Sequence, residues 1–257
     1  MSLPESPIVV IPARLRATRL PDKPLADIHG QPMIVHVWRR AVAADIGPVV
    51  VACAEEAIAE AVRAAGGRAV LTRPGHPSGS DRVHEAVERL DPEGRHDAVI
   101  NLQGDLPTIA PGLIRTVLRP FAEPAVDVAT LAAEITDCAE RDDPNVVKAA
   151  VAFAPQRTGA PPGARALYFS RARVPWDGGG TLPLYHHIGV YAFRRAALRR
   201  FVALPASALE KRERLEQLRL LEAGMRIDVA LVDTVPLGVD TPADLARARE
   251  LLAPPGG

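Results

Sequence analysis

The sequence has only two cysteines, no net charge and no long apolar run, and each absence argues against a class of protein. Cys53 and Cys138 match no metal-binding or redox spacing, which favours buried thiols in a reducing compartment, with a disulfide as the open alternative. The balance of charges at zero argues against a general binder of nucleic acid or membrane surfaces. No signal peptide and no apolar stretch long enough to span a bilayer are present, so we expect a cytoplasmic protein.

The sequence also lacks the glycine-rich loop of a P-loop, so a bound phosphate would need side-chain cations rather than backbone amides. Four cations occur in one loop after an apolar run near the N-terminus: Arg14, Arg16, Arg19 and Lys23. They repel one another unless an anion lies among them, and a triphosphate carries that much charge. The alternative is a solvated basic loop. Because ligands of open α/β sheets bind at the carboxyl ends of strands, we favour the triphosphate.

Apolar runs and amphipathic segments alternate through the first hundred residues. The predicted strands are 7–11, 48–53, 69–72 and 98–102, and the predicted helices are 32–44, 55–65 and 80–90. Gly66 and Gly67 end the second helix. This alternation predicts an α/β fold with a parallel sheet and helices on both faces. A chain of 257 residues with 47% hydrophobic content is large enough to bury a core as one domain.

The pattern changes between about residues 126 and 193. Strand-like pieces separated by loops rich in proline and glycine occur at 128–133, 146–153, 166–169 and 188–193. They predict a β-rich insertion that forms a subdomain or an oligomer interface. Ser207 and Glu210 then form a capping box for a helix that Gly224 closes. After a last strand at 227–232, Thr241 caps a terminal helix, and the tail 253–257 is expected to be disordered.

Two aspartates follow predicted strands closely. Asp105 comes after the strand at 98–102 and after Gly104, which permits close backbone approach. Asp240 lies in a second tight turn. If both strands belong to one sheet, the two carboxylates converge at its carboxyl edge, where with phosphate oxygens they suit Mg²⁺. Taken singly, either aspartate is more simply a turn former or a helix cap.

With these residues in hand, the chain resembles the 3-deoxy-manno-octulosonate cytidylyltransferases, enzymes that make the CMP-activated form of the eight-carbon sugar acid Kdo. Ordered blocks carry the resemblance over nearly the whole length: 11–14, 18–21, 23–25, 32–37, 78–82, 101–105, 143–148, 168–172, 187–191, 215–219 and 238–242. The resemblance implies a Rossmann-like nucleotidyltransferase sheet over residues 1–252, with the β-rich insertion helping to form a homodimer.

The resemblance also implies a reaction and a set of roles. The anomeric hydroxyl of the sugar acid attacks the α-phosphorus of CTP, and pyrophosphate leaves with the help of Mg²⁺. Lys23, Arg14 and Arg19 would hold the triphosphate, with Lys23 at the α-phosphate, and Asp105 and Asp240 would ligate the metal. The positions near the cytosine and ribose are Arg73, Ser78 and Gln103, each of which is equally explained by a structural role.

The acceptor pocket implied by the resemblance draws on later blocks. Arg171 would clamp the sugar carboxylate through paired hydrogen bonds. His187 would bond sugar hydroxyls, the alternative being a satisfied core histidine, and Tyr191 would form a wall. Glu213 and Gln217 are four residues apart, so they are predicted to share one face of the helix that Ser207 caps, which is otherwise a solvated stripe.

Four positions depart from the family pattern. The family usually has serine at Ala17, glycine at Asp22, aspartate at Ala54 and glutamate at Leu106. These departures leave open a cytidylyltransferase for a modified Kdo, another sugar acid or a phosphonate. A noncatalytic nucleotide-binding homologue is a second alternative, although Lys23 and both aspartates are present. A uridylyl- or guanylyltransferase is a third, disfavoured by the missing glycine-rich loop.

Overall fold

The computed structural model describes residues 3–15, 20–153, 164–176 and 182–254, and the chain divides into two compact units. The first, here called the parallel unit, comprises Glu5–Arg115 and Pro236–Gly257. The second, here called the mixed unit, comprises Met1–Pro4 and Thr116–Val235. The names describe the strand directions within each unit.

The parallel unit begins with strands and helices in alternation, as the sequence predicts. Its elements in chain order are β1 (Pro7–Ala13), β2 (Asp27–Ile28), β3 (Gln31–Pro32), α1 (Met33–Ala43), β4 (Val49–Cys53), α2 (Glu56–Ala64), β5 (Arg68–Leu71), α3 (Gly79–Leu90), β6 (Ala98–Asn101) and α4 (Pro111–Thr116). Strands β5, β4, β1 and β6 are neighbours in that order, and each pair is parallel. Strands β2 and β3 form a separate antiparallel pair. The predicted parallel sheet is confirmed.

Local sequence explains where these elements lie and where they end. In β1, Val9, Val10 and Ile11 are fully buried, because a strand covered on both faces is apolar throughout. Gly66 follows α2 with φ at +86°, a left-handed conformation that glycine adopts without a Cβ penalty. Ser78 caps α3 by accepting a hydrogen bond from the Asp81 N–H at 3.3 Å.

The mixed unit contains all four strands predicted between residues 126 and 193. Its elements are β7 (Val128–Glu134), β8 (Lys148–Phe153), β9 (Ala164–Ser170), β10 (Tyr185–Arg194), α5 (Arg195–Ala203), α6 (Ala208–Glu213), α7 (Gln217–Glu222) and β11 (Ile227–Val232). The strand order is β10, β7, β11, β9, β8, and only β7 and β11 are parallel. Because β8 also pairs with β10 at Lys148 and His186, the order closes on itself.

The last helix, α8 (Pro242–Leu251), returns to the parallel unit. Thr241 caps it as predicted, accepting a hydrogen bond from the Asp244 N–H at 3.2 Å. Of the tail predicted to be disordered, residues 255–257 lie outside the described residues. Among the described helices, none combines the length and the apolar character that crossing a membrane requires.

Two predictions are wrong. The segment from Ser207 to Gly224 is two helices instead of one, because Arg214 adopts a left-handed conformation with φ at +56° and ends α6. Glu213 and Gln217 therefore lie on different helices and share no helical face. Cys138 is exposed in a short 3₁₀ helix, and only Cys53 is the buried thiol that the sequence favours.

Candidate active site

The turn after β6 brings Asp105 close to the end of β1. A Cβ atom on Gly104 would lie 2.9 Å from the backbone oxygen of Pro12, so only glycine lets the two segments approach this closely. The predicted close approach at Gly104 is therefore present. The Val239 N–H donates to the backbone oxygen of Asp105 at 2.9 Å, which joins the segment before α8 to the same turn.

Lys23 lies between the two aspartates that the sequence singled out. It is the first residue of a short 3₁₀ helix (Lys23–Leu25), and its Nζ donates to Asp105 Oδ2 and to Asp240 Oδ1, each at 2.9 Å. We call Lys23, Asp105 and Asp240 the charged trio. Their side chains are 16%, 32% and 49% exposed, so the trio lies at the surface of the unit and is open to solvent.

The electrostatics of the charged trio favour a permanently protonated lysine. Burial alone lowers the pKa of Lys23, but the charges and hydrogen bonds of Asp105 and Asp240 outweigh burial and raise the pKa above its ordinary value. The backbone N–H of Asp240 donates to Asp244 Oδ2 at 3.0 Å, so the capping box of α8 orients this residue. The trio thus presents one ammonium group and two carboxylates, and the capping box of α8 holds Asp240 in position.

The two carboxylates of the charged trio suit a divalent cation bound by both of them. Both carboxylates already turn toward one positive charge, the Lys23 ammonium, which marks where a cation lies between them. Carboxylate oxygens are the ligands that Mg²⁺ prefers, and Mg²⁺ commonly combines one or two of them with substrate phosphates. The described residues hold no group of three or more His, Cys, Asp or Glu suited to a metal, so phosphate or water oxygens would have to complete the shell.

The basic loop is only partly described. Arg14 is exposed directly after β1, and the next residue, Leu15, is held by its N–H donating to Glu55 Oε2 at 3.1 Å. Arg16, Arg19 and the departure Ala17 lie outside the described residues. The structure therefore brings Lys23 to the two aspartates and leaves Arg14 at the start of the loop.

The three residues predicted near the base and ribose lie in the parallel unit with mainly local partners. The Arg73 side chain is 77% exposed, and its Nε donates to Glu85 Oε2 at 3.2 Å. Ser78 Oγ donates to Asp81 Oδ2 at 2.7 Å while capping α3. Gln103 lies two residues before Asp105, and its Nε2 is 3.5 Å from Asn101 Oδ1. Only Gln103 is tied by sequence position to the charged trio.

In the mixed unit, Arg171 and Glu213 form one hydrogen-bonded cluster. The Glu213 carboxylate accepts from Ser170 Oγ at 2.8 Å and from the Arg171 N–H at 3.0 Å. Arg171 Nε donates to the backbone oxygen of Glu213 at 3.0 Å, and its Nη1 donates to that of Pro144 at 2.8 Å. Glu213 thus fixes the turn that carries the Arg171 guanidinium.

Lys148 supports the same turn from inside the unit. It is fully buried, and its Nζ donates to the backbone oxygens of Asp143, Val146 and Arg171 at 2.6, 2.7 and 3.0 Å. Burial lowers its pKa, although the charges of Asp143 and Asp142 oppose this change. Three acceptors satisfy the three N–H groups of an ammonium, so Lys148 fastens the Arg171 turn to the loop before β8.

His187, Tyr191 and Gln217 are buried polar groups. The His187 ring lies between Phe169 and Tyr191, with ring centroids 4.7 and 5.5 Å away. Burial, with the nearby charge of His186, lowers the pKa of His187 to about 3, and burial raises the pKa of Tyr191 well above its ordinary value. Gln217 is 3% exposed, and its Nε2 has no hydrogen-bond partner within the described ranges. A buried donor without a partner is rare and needs an explanation.

Sequence reasoning missed Thr130, Ser170 and Lys148, all of which contact the predicted acceptor residues. Ser170 and Lys148 lie in blocks that carried the family resemblance, so their position was a usable signal. Thr130 gave a weaker one: it is a single hydroxyl inside the apolar strand β7, and it lies 3.0 Å from His187 Nε2.

Comparisons with known proteins show the family of this chain. A family model described as "Cytidylyltransferase" matches residues 8–227. The 3-deoxy-manno-octulosonate cytidylyltransferase of Rhodospirillum centenum is 69% identical over 99% of this chain and 96% of that protein. Its namesake from Paramagnetospirillum magneticum is 67% identical over 96% of this chain and 98% of that protein. A solved structure of CMP:2-keto-3-deoxy-manno-octonic acid synthetase with CTP is 41% identical, with a TM-score of 0.87 over 97% of this chain and 99% of that one.

These matches define first a class and then a family. The mixed α/β fold and the family model identify the chain as a nucleotidyltransferase enzyme of the cytidylyltransferase kind. Identity close to 70% over nearly the full length of two curated relatives is more specific. The chain belongs to the 3-deoxy-manno-octulosonate cytidylyltransferase family.

Proposed function

We propose that this protein transfers CMP from CTP to the anomeric hydroxyl of Kdo and releases pyrophosphate. The hydroxyl oxygen forms a bond to the α-phosphorus, the bond from that phosphorus to the bridging oxygen of pyrophosphate breaks, and the hydroxyl proton passes to solvent water. The observation that carries the proposal is the charged trio, which combines an ammonium and two carboxylates in a chain of this family.

The cations of the parallel unit account for binding and aligning the triphosphate. Lys23 is held on two sides, so its ammonium is oriented before substrate arrives and costs little reorganisation when charge develops at the α-phosphate. Arg14 and Arg19 would hold the other phosphates through the planar fork of the guanidinium. Phosphoryl transfer depends mostly on such positioning and charge stabilisation, so no further covalent chemistry is needed from the protein.

Asp105 and Asp240 would hold Mg²⁺ together with phosphate oxygens. When bound, the ion would act as a Lewis acid and neutralise charge that develops on the transferred group. The two carboxylates would then be shared between Lys23 and the metal, which keeps the ammonium close to the phosphate. Arg73, Ser78 and Gln103 stay as proposed contacts of the cytosine and ribose, of which Gln103 has the support of lying next to the Asp105 turn.

The acceptor residues of the mixed unit match the chemistry of a sugar acid. Arg171 offers a guanidinium held by two carbonyl groups, which suits a carboxylate. Glu213 holds the Arg171 guanidinium in position, while His187 and Tyr191 supply buried polar groups for the hydroxyls of the sugar. The Nε2 of Gln217 is a hydrogen-bond donor without a partner among the described residues, and a sugar oxygen would supply the acceptor. The predicted role of each of these five residues is therefore part of the proposal.

A homodimer formed through the β-rich region 126–193 is also part of the proposal. That region exposes Leu167, Trp176 and Leu182 at 58%, 88% and 71%, and exposed apolar side chains often mark protein contacts. The cytoplasmic location and the domain limits 1–252 stay predictions from the sequence.

Two of the four departures from the family pattern have a local structural setting. Leu106 is buried, and its Cδ2 lies 3.9 Å from where a Cβ of Gly238 would be, next to the turn of the charged trio. Asp22 has φ at +52°, the left-handed region that explains the family's glycine and that aspartate tolerates better than most residues. Neither of these two departures lies among the five acceptor residues, so neither favours another acceptor.

A pyrophosphate-release assay tests the function directly. The purified protein with Mg²⁺ is given each of the four nucleoside triphosphates in combination with Kdo, other sugar acids and phosphonates. We expect release only with CTP and Kdo, and release on the order of a thousandfold slower from the Asp105→Asn variant. Consumption of CTP with a phosphonate and none with Kdo would show that the family's usual acceptor is the wrong inference.

A further inference from the structure

A β-bulge in β10 brings His187 and Tyr191 together. The pairing with β7 runs regularly to Ile188, opposite Leu131, and resumes at Tyr191, opposite Thr130, so two residues of β10 have no counterpart on β7. Residues four apart in an extended strand are separated by roughly 13 Å. The ring centroids of His187 and Tyr191 are only 5.5 Å apart, so the bulge shortens this path and joins the two rings.

Thr130 lies at the centre of this bulge. It is fully buried, and its Oγ1 is 2.8 Å from the backbone oxygen of Val190, 3.2 Å from that of Ile188 and 3.0 Å from His187 Nε2. A hydroxyl has one proton, and carbonyl oxygens can only accept. Two carbonyl oxygens compete for the hydroxyl proton, and when either one accepts it, Oγ1 is left to accept a hydrogen bond from His187 Nε2–H.

This arrangement favours one of the two neutral imidazole tautomers. A neutral imidazole has one N–H and one lone pair, and the partner of one nitrogen decides the character of the other. With Nε2–H directed at Thr130, Nδ1 is the unprotonated nitrogen. An unprotonated nitrogen accepts hydrogen bonds from hydroxyl groups, which a polyhydroxylated sugar acid supplies in abundance.

We propose that Thr130 is a positioning residue that holds His187 as the Nε2–H tautomer, so that Nδ1 accepts a hydrogen bond from a hydroxyl of the sugar acid. The second half of this inference rests on the proposed function. The first half concerns the protein without any ligand, and the two halves can therefore fail separately.

Nitrogen-15 NMR of the full chain labelled at histidine tests the tautomer without any substitution in the test sample. The His187→Gln variant identifies the His187 signals among the seven histidines. In the ligand-free protein at pH 7 we expect the long-range proton correlations of His187 to show Nε2 protonated and Nδ1 unprotonated. A protonated Nδ1 would overturn the inference whatever the activity of the enzyme.

Substitutions then test whether Thr130 is the cause. Thr130→Val keeps the shape of the side chain and removes the hydroxyl, so we expect the ratio of Nε2–H to Nδ1–H to fall roughly tenfold, the equivalent of one hydrogen bond. We expect the KM for Kdo to rise by the factor by which the Nε2–H fraction falls, while the KM for CTP stays unchanged. Thr130→Ser restores the hydroxyl and should restore both values.

The matched control is Thr72→Val, which removes another buried threonine hydroxyl that donates to a carbonyl, that of Cys53 at 3.1 Å, with no histidine bonded to it. It should leave the His187 spectrum unchanged. If Thr130→Val does not fold, Thr130→Ala replaces it in the same comparison. An unaltered tautomer in the variant that lacks the hydroxyl would overturn the role of Thr130. An unaltered KM for Kdo beside an altered tautomer would overturn the contact with substrate, and no turnover of Kdo in the wild type would refute the proposed function alone.

Discussion

The two units shift the pKa of a basic side chain in opposite directions. In the parallel unit, Lys23 has two carboxylate partners, and its pKa is raised although burial alone would lower it. In the mixed unit, His187 has a threonine hydroxyl as its partner, and burial lowers its pKa to about 3. Desolvation acts in the same direction on both side chains, so the presence of opposite charge decides the outcome.

This difference matches the chemistry proposed for each unit. A charged site that is partly exposed can exchange its internal ion pairs for the phosphates and metal of a nucleotide, at little cost in desolvation. A buried neutral site recognises hydroxyl groups by donor and acceptor geometry, since an unpaired charge there would be expensive. The first site therefore distinguishes ligands by their charge, and the second distinguishes them by their pattern of hydrogen-bond donors and acceptors.

The largest effect is expected from the carboxylates of the charged trio. Asp105→Asn or Asp240→Asn removes one anionic ligand and one partner of Lys23, and turnover should fall on the order of a thousandfold with the fold intact. Steady-state rates at limiting Mg²⁺ and circular dichroism measure the two quantities. Asp27→Asn, which removes an exposed carboxylate of the same unit, is the control. Near-normal turnover in both variants would mean that the trio does not bind the metal.

Removal of the cation should have the next largest effect. Lys23→Met keeps the aliphatic stem and deletes the charge, and kcat should fall roughly a hundredfold if the lysine meets charge that develops in the transition state. Lys211→Met, at an exposed position of α6, serves as the matched control. If only the KM for CTP rises and kcat is unchanged, Lys23 binds the ground state and its assigned role is wrong.

Between pH 7 and pH 5, His187 should make the free energy of unfolding depend on pH, whereas Lys23 should not. The pKa of His187 is about 3 in the folded protein and 6.5 in a model peptide, so below pH 6.5 only the unfolded chain binds this proton. The free energy of unfolding should then fall by about 2 kcal/mol from pH 7 to pH 5 on account of this residue.

The difference between the wild type and His187→Gln isolates that contribution, because glutamine can still donate to Thr130 but does not titrate. Urea unfolding at several pH values measures it. Equal acid sensitivity of the two proteins would indicate that His187 titrates normally. Lys23, with a raised pKa, should contribute no change in this range, since stability from its pairing is lost only as the pH rises above about 10.5.

The smallest effect is expected at Asp22, next to the charged trio. Its φ of +52° suits glycine, so Asp22→Gly should leave the free energy of unfolding unchanged or raise it by up to about 1 kcal/mol. Asp22→Val should lower it by about 1 kcal/mol or more, because a β-branched residue fits this conformation poorly. Thermal unfolding of the two variants beside the wild type measures both. A stable valine variant would show that the loop relaxes away from the left-handed conformation.

Sequence reasoning worked well where a structural feature depends on neighbouring residues. The four parallel strands of the parallel unit, the glycine after α2, the capping box at Ser207 and the cap at Thr241 all follow from local patterns, and all are present. The convergence of Asp105 and Asp240 was also predictable, since both follow strands and the carboxyl ends of parallel strands share an edge. Even the close approach at Gly104 could be predicted from its place after β6.

The helix predicted from Ser207 to Gly224 shows where local reasoning stops. Its capping box is present, but α6 ends at Glu213, whose carboxylate accepts hydrogen bonds from Ser170 and from the Arg171 backbone, more than forty residues earlier in the chain. A periodic pattern cannot show that a side chain will find partners so far away. Tertiary contacts outweigh the small differences in helix propensity that the pattern reflects.

The sequence by itself determined the family, the alternation of strands and helices in the parallel unit, and the identity of the charged groups. Each of these depends only on residue types and their spacing. Only the tertiary structure decided that Lys23 lies between Asp105 and Asp240, and that His187 faces Thr130 across a β-bulge. Those pairings join residues far apart in the chain, and they depend on register and burial. Register and burial in turn set the pKa values and the tautomer, which no local pattern contains.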